Sequence, residues 1–345
     1  MQKDGDVIAK DKYVIYLCGY TQFGHTNWYP WKKFYDVFKH LDYEVYWTEK
    51  EQIKKHSGKN RVFITWCNPD TVELLNDGIY EEGDIILHKL VAFGQYDSGL
   101  EWGNNMEECL EFFKNFRWSL YQVLEQAYDA GVNIWGFGAK TEHKGFGEKE
   151  RIVEKLKDRI FWIPWGSSLC TYDEVHNSKP IMDGFTQDLG FVGSIWGTPG
   201  RGNIMSVQDY MVPLIDDPDI KSDLGGPGTA RGHVDDATHM HILRHSRVCP
   251  IINAPSFKVE KGVMDRFWTI HTIGRFGVAD TEGVYEFFNE DEVEYAATPE
   301  EWRDKVKYYI KNVDKQLPFI EKIQKRIREE YNYYHTWENI LNSAS

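Results

Sequence analysis

Short runs rich in β-branched and aromatic residues alternate with helix-length amphipathic stretches through the first half of this 345-residue chain. The runs are Tyr13–Leu17, Tyr43–Trp47, Val62–Trp66, Asp84–Leu87 and Val132–Trp135. Between them the spacing predicts helices over Trp31–His40 and Thr71–Asn76, and a long one around Met106–Ala130. Such alternation selects parallel pairing, because a parallel neighbour is reached only by a crossover long enough to hold a helix. The first half is therefore expected to be α/β, a parallel sheet with helices on both faces.

Near Phe161 the pattern loosens into "FWIPWGSSLCTYDEVHNSKPIMDG", rich in Pro, Gly, Ser and Asp, which reads as a passage between domains. A second αβ series follows. It comprises the run "LGFVGSIWG", helix Ile204–Val212, the loop "LGGPGTARG", helix Val234–His245, strand Val248–Ile252, helix Met264–Ile273 and strand Arg275–Val278. From Pro299 the chain reads as almost entirely helical, with Trp302, Val306, Tyr309 and Ile310 at helical spacing. The length suits two domains rather than one core. The expected division is 1–165, a linker 166–188, a second domain 189–332, and a terminal helix 333–345 returning to the first. Two doubly wound domains facing each other leave a cleft at the carboxyl ends of their strands, where α/β ligand sites usually lie.

Charge narrows the partners. Lys plus Arg number 40 against 54 Asp plus Glu, a formal net charge of −14, and a surface of that sign repels a phosphate backbone. Nucleic acid is disfavoured as a partner. The five cysteines are scattered and form no CxxC pair, which argues for a reducing compartment and against a zinc ribbon or disulfide framework. The first residues, "MQKDGDVIAKDK", hold no apolar core of a leader, and no 18-residue apolar run occurs, so a cytoplasmic protein without a membrane span is expected.

The most specific text lies between Arg247 and Leu341. A strand ends in Asn253; a loop carries Gly262; Arg266 stands at the mouth of a helix that Gly274 closes. Then come Glu286–Phe288, a Pro299–Glu301 helix start and a final His335–Trp337 helix. This layout resembles the C-terminal half of GT-B glycosyltransferases, the nearest group being the spore-maturation-protein type. "DLGFVGSIWGTPGRGN" looks like the opening strand and turn of the same domain, and "WIPWGSS" like the family's inter-domain strand. The resemblance implies two Rossmann-like domains, the N-terminal one on the acceptor side and the C-terminal one holding a nucleotide-sugar.

What it implies for the site agrees with the chemistry of a diphosphate. Helix N-terminal N–H groups beside Gly262 suit an anion, and Arg266 can add a charge-assisted contact. Gly193, Ser194 and Arg201 would form a second anion-facing turn, and Asn253 and Asp265 complete the donor-side set. Related enzymes carry a Glu three residues after the Arg to hold the ribose hydroxyls; here that position is Thr269, which lacks a carboxylate's bidentate grip.

An inverting enzyme also needs a base near the acceptor. His25, in the loop "CGYTQFGHTNWYPW" after the first strand, resembles the family's placement, and Asp97 in "FGQYDSG" is the second candidate. His88, Glu142 and His143 are weaker ones. The bland reading of each is a turn residue bonded to backbone.

Three other stretches invite different chemistry. "RGHVDDATHMHILRH" gathers His233, Asp235, Asp236, His239, His241 and His245, yet helical spacing gives no single tetrahedral set. "IDDPD" at Ile215–Asp219 reads as a turn, not a metal signature. "GFGEKE" and "LGGPGTARG" lack the dinucleotide fingerprint's strand–loop–helix context. The reading is thus a metal-independent hexosyl- or pentosyltransferase moving sugar from a UDP- or GDP-sugar to a hydroxyl of a glycan or small molecule, with no cofactor. The alternatives are a nucleic-acid-modifying glycosyltransferase, a sugar-nucleotide-binding protein without catalysis, and a metal-dependent hydrolase.

Overall fold

The structure is a computed structural model, and it describes residues 10–19, 21, 28–48, 52–53, 59–66, 77–79, 81, 84–90, 119–124, 160–162, 166–198, 201–255, 258 and 262–344. The chain forms two compact units, one of residues 1–134, 140–164 and 333–345, the other of residues 135–139 and 165–332.

The first unit is built on a six-stranded parallel sheet. Its strands are β1 (Tyr13–Cys18), β2 (Glu44–Trp47), β3 (Asn60–Trp66), β4 (Ile85–Leu90), β5 (Ser119–Leu124) and β6 (Ile160–Trp162), in spatial order β2-β1-β3-β4-β5-β6. β1 lies between two neighbours, and Val14, Ile15, Tyr16 and Leu17 are all buried, as a strand covered on both faces requires. Helix α1 (Trp28–His40) turns Trp31, Phe34, Val37 and Phe38 inward at helical spacing. Against that face lies the last helix of the chain, within the same unit. The Phe34 and Trp337 rings meet edge-on at 4.9 Å, and the Lys33 ammonium sits 5.3 Å over the ring of Tyr334.

Two expectations need correction here. Residues 119–124, read as part of a long helix, form β5, which pairs with β4 over six residues from Ile85↔Ser119 to Leu90↔Leu124. "SLYQVL" is too short for periodicity to choose between helix and strand, and the open edge of β4 decides it. The passage between domains begins later than Phe161, since Ile160–Trp162 form a sixth strand, registered Gln122↔Ile160 to Leu124↔Trp162, within the expected first domain of 1–165. The expected strand Val132–Trp135 and helix Thr71–Asn76 lie outside the described residues.

The second unit holds a five-stranded parallel sheet in order β10-β7-β11-β12-β13. The strands are β7 (Gln187–Val192), β10 (Ser222–Gly225), β11 (Ser246–Ile251), β12 (Gly277–Ala279) and β13 (Glu294–Tyr295), and a small antiparallel hairpin, β8 (Gly197–Thr198) and β9 (Arg201–Gly202), follows β7. β10 occupies the start of the glycine-rich stretch read as loop. Its helices are α2 (Tyr172–Asn177), a run from Ile204 to Ile215 whose middle is a π turn, α3 (Asp236–Arg244), α4 (Asp265–Thr272), α5 (Pro299–Lys311) and α6 (Leu317–Glu329); α7 (Tyr333–Ala344) belongs to the first unit.

Leu189, Phe191, Met211, Val248, Val278, Trp302 and Ile320 share its core, and the Trp302 indole donates to the Val278 carbonyl at 2.8 Å. Gly274 ends α4 at φ +80°, and a Cβ there would lie 2.2 Å from the Lys179 carbonyl oxygen, so only glycine fits. Next to it, Arg275 is wholly buried among carbonyls: its guanidinium donates to Ile181, Ser246 and Arg247 and stacks on Phe185 at 4.5 Å.

Candidate functional site

Three strand ends and one helix start converge in the second unit. β7 ends at Val192, β11 at Ile251, and β12 at Ala279, and the N-terminus of α4 lies in front of β7 and β11 through one side chain, Arg266. Its Nε donates to the Val192 carbonyl and its Nη1 to the Ile252 carbonyl, both at 3.0 Å, while the guanidinium carbon lies 4.2 Å above the ring of Phe191. The guanidinium is thereby fixed in orientation. Nη2 makes no hydrogen bond among the described residues and lies beside Gly193, where a Cβ would come within 1.9 Å of it. Burial lowers the pKa of Arg266 to about 10, with Asp280 and Asp265 opposing, so the group stays cationic at neutral pH.

The main chain around this cation is suited to an anion. Helix α4 starts after its N-cap Met264 with no side-chain cap, and a helix N-terminus carries partial positive charge suited to an anion. On the β7 side the Gly193 N–H is taken by the Gly225 carbonyl at 2.9 Å and the Ile195 N–H by Pro227 at 2.8 Å. The Ser194 N–H between them has no partner among the described residues. Gly262 is buried just upstream of α4, and Arg201 lies in β9 opposite Thr198.

Three of the expected donor residues are engaged within the protein. Asp265 accepts the Ser168 N–H at 2.8 Å, tying the start of α4 to the segment before α2. Thr269 is 1% exposed and its hydroxyl shares a 2.9 Å hydrogen bond with that of Ser167. Asn253 donates its N–H to both carboxylate oxygens of Asp280, at 3.1 and 3.0 Å, and its side-chain amide to Oδ1 at 2.7 Å. Asp280 also holds the Lys258 ammonium at 2.6 Å, and burial raises its pKa against the pull of these partners.

Sequence reasoning missed Asp280, Lys258, Ser167 and Phe191. Asp280 was findable, since it directly follows a strand at the edge where α/β sites form. His25, Asp97, Glu142 and His143 lie outside the described residues, and His88 falls within β4, paired with Thr65.

The histidine-rich stretch has a structural use. Asp235 caps α3 by accepting the Thr238 N–H at 2.7 Å, and the His241 and His245 rings lie 4.1 Å apart. Among the described residues no group of three or more His, Cys, Asp or Glu side chains is placed to hold a metal ion. His239, on the same helix, has its pKa lowered to about 4 by burial and by the charge of Arg266. In "IDDPD" the Asp217 carboxylate accepts the Asp219 N–H at 3.1 Å, a turn.

Comparison with known proteins fits this geometry. The family described as "Glycosyl transferase-like" matches residues 208–342, less than half of the chain, including Asn253, Gly262 and Arg266. No curated protein matches the sequence. Among solved structures, T4 phage BGT in complex with UDP-glucose superposes with a TM-score of 0.55 at 11% identity, covering 96% of this chain and 99% of that one. Sucrose-phosphate synthase from Thermosynechococcus elongatus gives a TM-score of 0.53 at 9% identity, with 96% of each chain covered. HepE from Anabaena, in complex with UDP-glucose, gives 0.52 at 10% identity, covering 95% and 98%.

The fold is GT-B. At such low identity the likeness concerns the backbone alone. Within that fold, the strand ends and helix start described above belong to the C-terminal α/β unit. No helix among the described residues is long and apolar enough to cross a membrane.

Proposed function

We propose that the protein is a glycosyltransferase that transfers a sugar from a UDP-sugar to a hydroxyl acceptor. The observation that carries this reading is Arg266, half-buried, oriented by two main-chain carbonyls, and presenting Nη2 beside Gly193 at the uncapped start of α4. UDP as the nucleotide is supported by two GT-B neighbours whose complexes contain UDP-glucose.

In the reaction the bond between the anomeric carbon and the diphosphate oxygen breaks as the acceptor oxygen forms its own bond to that carbon. The departing diphosphate gains negative charge. Arg266, the positive N-terminal end of α4 and the Ser194 N–H meet that charge, serving the role a metal ion plays elsewhere. Because these groups are already fixed in the protein, little reorganisation is needed as the charge develops. His25 or Asp97, on the first unit, would take the proton of the acceptor hydroxyl if the reaction inverts.

A second reading, donor binding without transfer, is favoured by Thr269. Where the resembling enzymes carry a carboxylate, this chain has a buried hydroxyl turned to Ser167.

Calorimetry and thermal melting with UDP, UDP-glucose, GDP and ADP test both. The proposal expects UDP and its sugar to raise the melting temperature by linkage and expects UDP release when an acceptor is present. Binding without release from any acceptor or water would favour the second reading, and no response to any nucleotide would overturn both.

A further inference from the structure

Trp196 stands apart from the other exposed aromatic side chains. Among the described residues the exposed large apolar side chains are Tyr46, Tyr172, Trp196, Tyr285 and Tyr308. Each tyrosine has a ring partner: Tyr46 lies 5.5 Å from Tyr16, Tyr172 4.0 Å from His176, Tyr285 5.6 Å from Tyr295 and Tyr308 5.1 Å from Tyr309. Trp196 is 47% exposed, with neither a ring partner nor a hydrogen bond to its indole among the described residues.

The backbone beneath this ring is nonetheless fixed. The Trp196 N–H donates to Oδ1 of Asn203 at 2.9 Å, and the Asn203 side-chain amide donates to the Ser194 carbonyl at 2.8 Å. The Trp196 carbonyl accepts the N–H groups of Asn203 and Ile204 at 3.1 and 3.2 Å. Gly202, at φ +85°, lets the ring pass where a Cβ would lie 2.9 Å from Cε3. On the other side, alternate bonds from Gly193 and Ile195 to Gly225 and Pro227 carry the β7–β10 pairing onward and keep the chain extended. A free indole on a held loop is a surface made for a ligand.

Its place says which ligand. Trp196 lies beyond the carboxyl end of β7, the edge where α/β ligands bind, two residues past the open N–H of Ser194. Two extended residues advance about 7 Å. A phosphate on that N–H and the sugar joined to it bridge such a distance. A pyranose also offers a face of C–H bonds, made positive by neighbouring oxygens, which suits the negative face of an indole.

We propose that Trp196 is the stacking platform for the sugar ring of the nucleotide-sugar. The inference rests on the donor reading of Arg266. One turn, pinned by Asn203, then meets the phosphate with a main-chain N–H and the sugar with an aromatic face.

Calorimetry with uridine, UDP, UDP-glucose, UDP-galactose and UDP-N-acetylglucosamine tests this. Trp196→Ala should weaken the UDP-sugar that wild type binds best by roughly three- to tenfold, the scale of one aromatic stack, and leave UDP and uridine unchanged. Trp196→Phe should restore most of the loss. Because the ring touches no other ring, both variants should melt as wild type does.

If Trp196→Ala binds every UDP-sugar as wild type does, the inference fails while the donor site stands, and a slower transfer in that variant would assign the ring to the acceptor. If UDP and uridine weaken as much as the UDP-sugars, the ring serves the base and the inference also fails. Should the alanine variant not fold, Trp196→Leu, apolar but without an aromatic face, decides by the same comparison. If the wild-type protein binds neither UDP nor any UDP-sugar, it is the donor reading itself that falls.

Discussion

The space that Gly193 leaves open is the space that the Arg266 guanidinium occupies. A Cβ on Gly193 would lie 1.9 Å from Nη2 and 3.0 Å from Cζ, and the guanidinium cannot retreat because Val192 and Ile252 hold it on its other edges. Gly193→Ala should therefore push Arg266 out of register. We expect UDP affinity to fall by an order of magnitude or more and folding stability by about 1–3 kcal/mol, the usual cost of overpacking. Calorimetry and urea melts check the two effects; unchanged UDP affinity in a folded variant would show that Nη2 does not face the ligand.

Replacing Arg266 by Lys keeps the charge and removes the fork. Lys cannot donate to Val192 and Ile252 together while leaving a third donor forward. Arg266→Lys should weaken UDP binding by roughly 10- to 100-fold, in line with about 1.5–3 kcal/mol for hydrogen bonds to charged groups. Near wild-type affinity in that variant would mean that only charge matters at this position.

The helix that carries Arg266 predicts a pH effect on stability. His271 is 2% exposed, neither ring nitrogen has a hydrogen-bond partner among the described residues, and burial lowers its pKa from 6.5 to about 3. The unfolded chain thus binds a proton that the folded one refuses. Stability from this group is fully present above pH 6.5 and is lost as pH falls towards about 3, by a few kcal/mol at most. His239, with its pKa lowered to about 4, acts in the same direction. His271→Leu should raise the urea midpoint at pH 4 far more than at pH 7; parallel curves for variant and wild type would remove His271 from the acid limb.

Much of this architecture was legible in the residues, and the exceptions have physical causes. β1 announces itself because a strand buried on both faces is a nearly continuous apolar run, and Tyr13–Cys18 leaves no helical phase; Val62–Ile64 do the same for the centre of β3. Ser119–Leu124 does not, because its neighbours continue a helical spacing and only the edge of β4 makes it a strand. Arg266 and Gly262 stood out by their place before an amphipathic helix. Thr269 could be named but not placed: its pairing with Ser167 joins positions 102 residues apart, which no local pattern encodes. Asp280 and Lys258 were overlooked for a similar reason, since an acid and a base in separate loops become partners only when β11 and β12 lie side by side.

The last helix offers a test of what holds the first unit together. Trp337 is fully buried, with Phe34 and Phe38 ring centres at 4.9 and 5.2 Å, and its indole nitrogen has no hydrogen-bond partner among the described residues. Its contribution is therefore packing area rather than a polar contact. Trp337→Ala should cost about 3–5 kcal/mol of stability, the range for emptying a large aromatic site. Trp337→Phe should cost much less, since it forfeits no hydrogen bond and keeps an aromatic ring against Phe34 and Phe38. Ending the chain at Asn332 removes Tyr333, Tyr334 and Trp337 together and uncovers Phe34, so it should destabilise the first unit at least as much as the alanine variant. Urea melts followed by intrinsic fluorescence compare all three. If the truncated chain melts like wild type, α7 does not support the α1 face, and the packing of Trp337 on Phe34 is energetically idle.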